Sequence, residues 1–288
     1  MTCPIDFHAF AQECLIDRPT SNLYFLLDHG GLPGLHRQLK KSSVEWVSLF
    51  EYTNEASALA VAPILILIAE NCKLQMSRYL FEWIGENGTY NSTVITLSSP
   101  LQIEILKKRL TARLDARISE DMRVMLRFFD PRTFEDLMSV LRPIQITTFL
   151  SPAEKWWYVD RAGKLVSLDA TFNVVEELKT PLTLNANQEF DLIDASEPDR
   201  VLAALRENAL DIIQKQPLSA QHGFVRENIE TAKKAGLTSV ADLVLYNIVA
   251  LMMGMDFIKS DAWLDLLREV KSKSVDFLTV VSSLGIDD

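Results

Sequence analysis

The chain has 288 residues, more than the usual single-domain size, which predicts two packed units. Its 48% hydrophobic and 24% charged residues, with only 10 Gly and 11 Pro, exclude a disordered or fibrous polypeptide. A formal charge of -10 argues against nucleic acid and anionic membrane as partners, because both demand a Lys/Arg surface that displaces counterions.

Phe7, Phe10, Ala11, Cys14 and Leu15 recur at helical spacing, so the first predicted element is an amphipathic helix from Pro4 to Asp17. Asn22 to Asp28, Glu45 to Phe50 and Ala62 to Ala69 are apolar runs bounded by polar or glycine punctuation and read as strands. Asn71 is placed as the cap of a helix whose stripe is Met76, Tyr79, Leu80 and Trp83, with Gly85 at its end. Thr93 to Leu97 returns as a strand, and Ser99, Pro100 and Gln102 open a helix with the stripe Ile103, Leu106, Leu110 and Leu114. Arg123 to Phe129 is the next strand; Asp130 and Pro131 then cap a helix carrying Phe134, Leu137, Met138 and Leu141, closed by Pro143. Ile146 to Phe149, Lys155 to Asp160 and Lys164 to Leu168 are short strands, the last two joined by a turn at Ala162 and Gly163.

Strands alternating with crossover-length helices predict an α/β N-terminal domain, residues 1–184, built on a mainly parallel sheet with covering helices. From Asn185 the pattern is helical only, which gives an all-α C-terminal lobe over 185–288. Its most informative helix runs from Ser239 to Met255. There Val240, Leu243, Val244, Ile248 and Leu251 form one stripe, while Leu245, Val249, Met252 and Met253 make the rest apolar too. A helix apolar nearly all round is buried in a bundle or covered by another chain, and methionines suit adaptable surfaces.

Cys3, Cys14 and Cys72 form no CxxC pair and suit reduced thiols rather than a disulfide frame or a zinc site. The first ten residues lack a basic segment and an apolar leader, and the longest uncharged apolar stretch, Ala56 to Ala69, is broken by Pro63 and falls short of the roughly 20 residues that span a bilayer. A cytoplasmic protein is expected, and the sequons at Asn87 and Asn91 are chance matches.

The search for chemistry is short. Gly30, Gly31 and Gly34 follow a predicted strand and Glu51 ends the next, the rough layout of a dinucleotide site, but the GxGxxG spacing is absent and Pro33 crowds the turn; a plain turn is preferred. His29 beside the glycines resembles an oxyanion segment, yet no GxSxG supplies a nucleophile, and His8, His36 and His222 are scattered. No catalytic residue, cofactor or metal is assigned. Arg123 and Arg127 share a strand face and pair with nearby carboxylates in this reading, while Asp130 caps a helix. Trp156, Trp157 and Tyr158 crowd one strand, whose alternation sends Trp157 to the face opposite the other two. Core burial is the first reading for these aromatics and for the Ser239 to Met255 helix. Trp156, Trp157, Leu245, Val249, Met252 and Met253 are kept as partner-binding candidates.

The segment Met125 to Leu141, with Arg127, Phe128, Phe129, Asp130 and Pro131 at its centre, resembles the Arg-Phe-x-Asp-Pro region of the type VI secretion effector chaperone family, long labelled a domain of unknown function. Phe149-Leu-Ser-Pro and Trp156 downstream, and Val47-Ser-Leu-Phe and Ala62-Pro-Ile-Leu-Ile upstream, extend the resemblance over roughly Asn22 to Trp157. One departure is that Glu51, Tyr52 and Thr53 stand where small or glycine residues are commoner. The resemblance implies a non-catalytic cytoplasmic adaptor that binds the N-terminal part of a cognate toxic effector and loads it onto the valine-glycine-repeat (VgrG) spike or its PAAR tip. A nucleotide-dependent enzyme on the α/β domain and an immunity protein that binds a toxin are the alternatives from other classes.

Overall fold

The structure is a computed structural model that describes residues 4–17, 21–272 and 275–285; Cys3 lies outside them. The chain divides into two compact units, the first reaching Asp194 and the second running Ala195–Asp288.

In the first unit the elements follow as α1 (Phe7–Asp17), β1 (Asn22–Asp28), α2 (Leu35–Lys41), β2 (Trp46–Ser48), β3 (Pro63–Glu70), β4 (Lys73–Leu74), α3 (Arg78–Gly88), β5 (Val94–Ser99) and α4 (Ile103–Thr111). There follow β6 (Asp115–Arg117), β7 (Arg123–Met125), α5 (Pro131–Val140), α6 (Pro143–Leu150), β8 (Lys155–Val159), β9 (Leu165–Asp169), β10 (Leu182–Thr183) and α7 (Ala186–Ala195). Among the described residues a seven-stranded sheet has the order β2-β3-β1-β5-β8-β9, with β4 also paired to β3.

Every ladder of this sheet is antiparallel, which corrects the expected parallel sheet. The one parallel pairing, β10 with β6, belongs to a separate small sheet in the order β10-β6-β7. The physical reason is instructive. Strands β3 and β5 are joined through α3 as a parallel crossover would be, and both run antiparallel to β1; they point the same way, but β1 is inserted between them. Helix-length connections permit parallel neighbours without requiring them.

The continuous apolar runs report two-sided burial instead. Tyr24, Leu26, Leu65, Leu67, Ile95, Leu97, Trp156 and Tyr158 point into a core shared with Leu106 and Leu110 of α4, Phe134 of α5 and Phe149 of α6. Leu23, Phe25, Ile64, Ile66, Ile68, Val94 and Trp157 point into a second core with Phe7 of α1, Leu39 of α2 and Phe81 of α3. Successive strand residues alternate between the two, as the pleat demands. Trp157 lies opposite Trp156 and Tyr158, as the alternation predicts.

Several boundaries move for local reasons. Asn71 and Cys72 take positive φ in the tight turn between β3 and β4, and Ser77 caps α3 instead, accepting from the Leu80 N–H. Ser99 ends β5, its hydroxyl donating to the Pro152 carbonyl at 2.7 Å, and α4 begins after Gln102. Ile146 to Phe149 is helical rather than extended. Pro143 starts α6 at its first turn, and the Gln145 side chain accepts from the Arg142 N–H at 3.1 Å, so local capping outweighs the β-branched residues.

Helix α7 belongs with the first unit, later than the division expected at residue 185. Gln188 donates to the Val140 carbonyl at 3.0 Å, and Leu192 packs on the α4–α5–α6 core. The second unit is all helical: α8 (Glu197–Asn208), α9 (Leu210–Ile213), α10 (Leu218–Lys234), α11 (Val240–Met253), α12 (Met255–Ile258), α13 (Asp261–Lys271) and α14 (Phe277–Ser283). Its core gathers Leu205, Val225, Ile229, Tyr246, Val249 and Phe277 around fully buried Trp263. A buried amide pair ties α10 to α11: Asn228 donates to Asn247 at 3.1 Å, and Asn247 donates to the Leu243 carbonyl at 2.8 Å. Among the described residues no helix is long and apolar enough to cross a membrane.

Candidate partner-binding surface

The Arg127–Pro131 string begins where β7 has ended, at Met125, so the strand expected up to Phe129 gives way to a loop. That loop is anchored at each residue. Arg127 donates to Asp28, at the end of β1, at 2.9 Å, and its guanidinium stands 5.3 Å from the Phe129 ring centroid. Phe128 and Phe129 are buried in the core, Asp130 accepts from the Arg132 N–H at 2.9 Å as the cap of α5, and Pro131 occupies the first turn. Burial pushes the Asp28 carboxyl above its usual pKa, and Arg127 pulls it back. The string therefore fixes the entry of α5 against the end of the central strand. Arg123, in β7, stands 3.9 Å from Asp115, but Arg127 lies beyond the end of the strand, so the strand face expected to carry both does not extend to it.

The glycine turn after β1 serves packing. The Gly30 N–H donates to Asp28 at 3.0 Å, so the protein's own carboxylate takes the amide that a phosphate would need. A Cβ on Gly31 would meet the Thr93 side chain at 2.4 Å. Glu51 pairs with Lys107 at 2.6 Å. His29 stacks near His36 with centroids 6.1 Å apart, and burial lowers its pKa.

A buried charge network missed by the sequence reading sits behind α4. Arg113 is wholly buried and Arg109 nearly so; Glu176 accepts from Arg109 Nε at 2.7 Å and from Arg113 Nη1 at 2.9 Å. Arg113 also donates to the Phe149 and Thr148 carbonyls, and Arg109 to the Asn173 carbonyl. Burial would raise the Glu176 pKa, but the two guanidiniums outweigh it and hold the carboxyl at about 2. The network ties the segment after β9 to α4.

The partner-binding candidates separate cleanly. Trp156 is fully buried, stacked on Phe134 at 5.4 Å, and donates to the Leu150 carbonyl at 3.0 Å; Trp157 is buried in the opposite core against Phe10. Neither is accessible to a partner in this fold, because both faces of the sheet are covered. Val249 is likewise buried. Helix α11 turns Leu243, Tyr246, Asn247, Val249 and Ala250 inward, so of the expected stripe only Leu243 is fully buried, while Val244, Ile248 and Leu251 are half-buried at the edge of the core and Val240 is exposed. The predicted residue Leu245 is half-buried too. With Ala204 and Asn208 of α8 and Leu278 of α14, Val240, Val244, Leu245 and Ile248 line an open apolar groove of about 470 Å³. Met252 and Met253 are 46% and 42% exposed at the end of α11. The second unit thus presents an open, mainly apolar groove lined by α8, α11 and α14.

No curated protein and no solved structure matches the chain. Residues 23–148 match a family model described as "Domain of unknown function (DUF4123)", a span that contains both Asp28 and the Arg127–Pro131 string that pairs with it.

Proposed function

We propose that this protein is a non-catalytic type VI secretion adaptor, which binds the N-terminal region of a cognate toxic effector in the cytoplasm and passes it to the VgrG spike or its PAAR tip. The observation that carries this reading is the coincidence of the family match over residues 23–148 with the Arg-Phe-Phe-Asp-Pro string. The string resembles the effector chaperone family, and its residues form the anchor between β1 and α5. The apolar groove on α11 supports it by offering a surface of the kind that takes a partner helix. The glycine turn and Glu51, the basis of a nucleotide-enzyme reading, are engaged with Asp28, Thr93 and Lys107.

The test is affinity capture of the tagged full chain from its own cells, followed by identification of bound proteins and mapping of the bound region. An effector held through its N-terminal part, together with a spike protein, is the expected outcome. Binding confined to a toxic domain would identify an immunity protein instead, and a nucleotide-induced thermal shift without any captured protein would restore the enzyme reading.

A further inference from the structure

The turn after β2 places an aromatic residue at a position whose left-handed backbone favours glycine. Phe50 is buried, and both the N–H and the hydroxyl of Thr53 donate back to the Phe50 carbonyl, closing the turn at 3.1 and 2.8 Å. Between them Tyr52 has φ +64°, the left-handed region in which a Cβ crowds the following carbonyl. Among the described non-glycine residues with positive φ it is the one aromatic. Its side chain is 89% exposed, so no core contact offsets the strain. What holds the ring is Lys107, whose Nζ stands 5.4 Å from the ring centroid and is itself fixed by Glu51.

Tyr52 lines a polar cleft of about 520 Å³ whose walls include Glu55, Asp115, Arg123 and Met125. Asp115 and Arg123 face each other at 3.9 Å, Met125 is exposed, and half-buried Glu55 has no ion-pair partner among the described residues. The cleft therefore offers an aromatic surface, an apolar side chain and one uncompensated carboxylate. Strained, exposed residues beside a cleft are where backbone energy is spent on recognition rather than on the fold.

We propose that this cleft binds an extended peptide segment of the delivered protein, with an apolar side chain lying on the Tyr52 ring and a neighbouring lysine or arginine reaching Glu55. The site rests on the adaptor reading and adds to it a recognition residue and a peptide class. It is distinct from the α11 groove, which is mainly apolar and lies in the other unit.

The experiment compares the full chain with Tyr52→Gly, Tyr52→Phe and Glu55→Lys, measuring Tm by calorimetry and affinity for the purified effector recovered with the wild-type chain. Tyr52→Gly relieves the left-handed strain, so its Tm stays level or rises while its affinity falls by about tenfold or more. Tyr52→Phe keeps affinity within about threefold, and Glu55→Lys weakens binding by about tenfold through charge reversal. Undiminished binding by Tyr52→Gly and Glu55→Lys would overturn the site while leaving the adaptor reading intact. A lowered Tm in Tyr52→Gly would assign the ring to the fold and overturn it as well. A wild-type chain that captures no effector would remove the adaptor reading and this site with it.

Discussion

Arg113 is wholly buried and charged, and Glu176 is what makes that arrangement tolerable. Removing one member of a buried pair strands the other, so Glu176→Gln should cost about 3 kcal/mol in urea denaturation, more than the loss of a surface ion pair. The pH dependence has a definite sign. The Glu176 carboxyl titrates near 2 in the fold, below its ordinary 4.5, so the folded chain binds fewer protons here than the unfolded one. The stabilisation is complete above about pH 4.5 and is lost as pH falls towards 2, amounting to about 1–2 kcal/mol once partial exposure is allowed for. A urea series from pH 6 to pH 3 should show wild type losing about half of this increment and Glu176→Gln lacking the loss. At this scale the sequence was partly legible. The helix-capping role of Asp130 and Pro131 follows from residue type and spacing. Arg109 and Arg113 were not legible, because arginines beside an amphipathic stripe look like solvated charges until the distant segment with Glu176 is laid over them. Tyr52 stood out as a departure at a position where small residues are commoner, but only the backbone reveals the positive φ.

Elements were easier to locate than to orient. β1 was found to the residue, and α1, β3, β5, β8 and β9 within a few, because apolar runs and helical stripes are properties of local sequence. Strand direction is not local: a run buried on both faces reads the same in either direction, and the insertion of β1 between β3 and β5 leaves no periodic trace. The same limit applied to α11. Its all-round apolar composition signalled an unusual helix, but which face is inward depends on α8, α10 and α14. That face makes a prediction. Val244→Glu with Ile248→Glu places charges in the open groove, so the fold should be retained at a cost of about 2 kcal/mol, since both side chains also touch the edge of the core, while effector affinity falls by about tenfold or more. Asn247→Ala, on the buried face, should instead destabilise by about 1–3 kcal/mol by leaving Asn228 unpaired, seen as a lowered denaturation midpoint.

The whole molecule combines a sheet-centred unit, whose β1–α5 anchor lies within the family match over residues 23–148, with a helical unit outside that span that carries the open apolar groove on α11. The division into an α/β part and a helical part was readable from the change in pattern near residue 185, and α7 was misassigned because its amphipathic spacing does not say which core it serves. Net charge of -10 bears on association at this scale: if the cargo segment is basic, its on-rate should fall as salt rises, measurable by stopped-flow mixing. The central claim is tested most directly by capture of the tagged full chain from its own cells with quantitative mass spectrometry. The adaptor account predicts an effector and a spike or PAAR protein bound together, with the effector lost from the Val244→Glu, Ile248→Glu double variant. Capture of neither by the well-folded wild-type chain would contradict it.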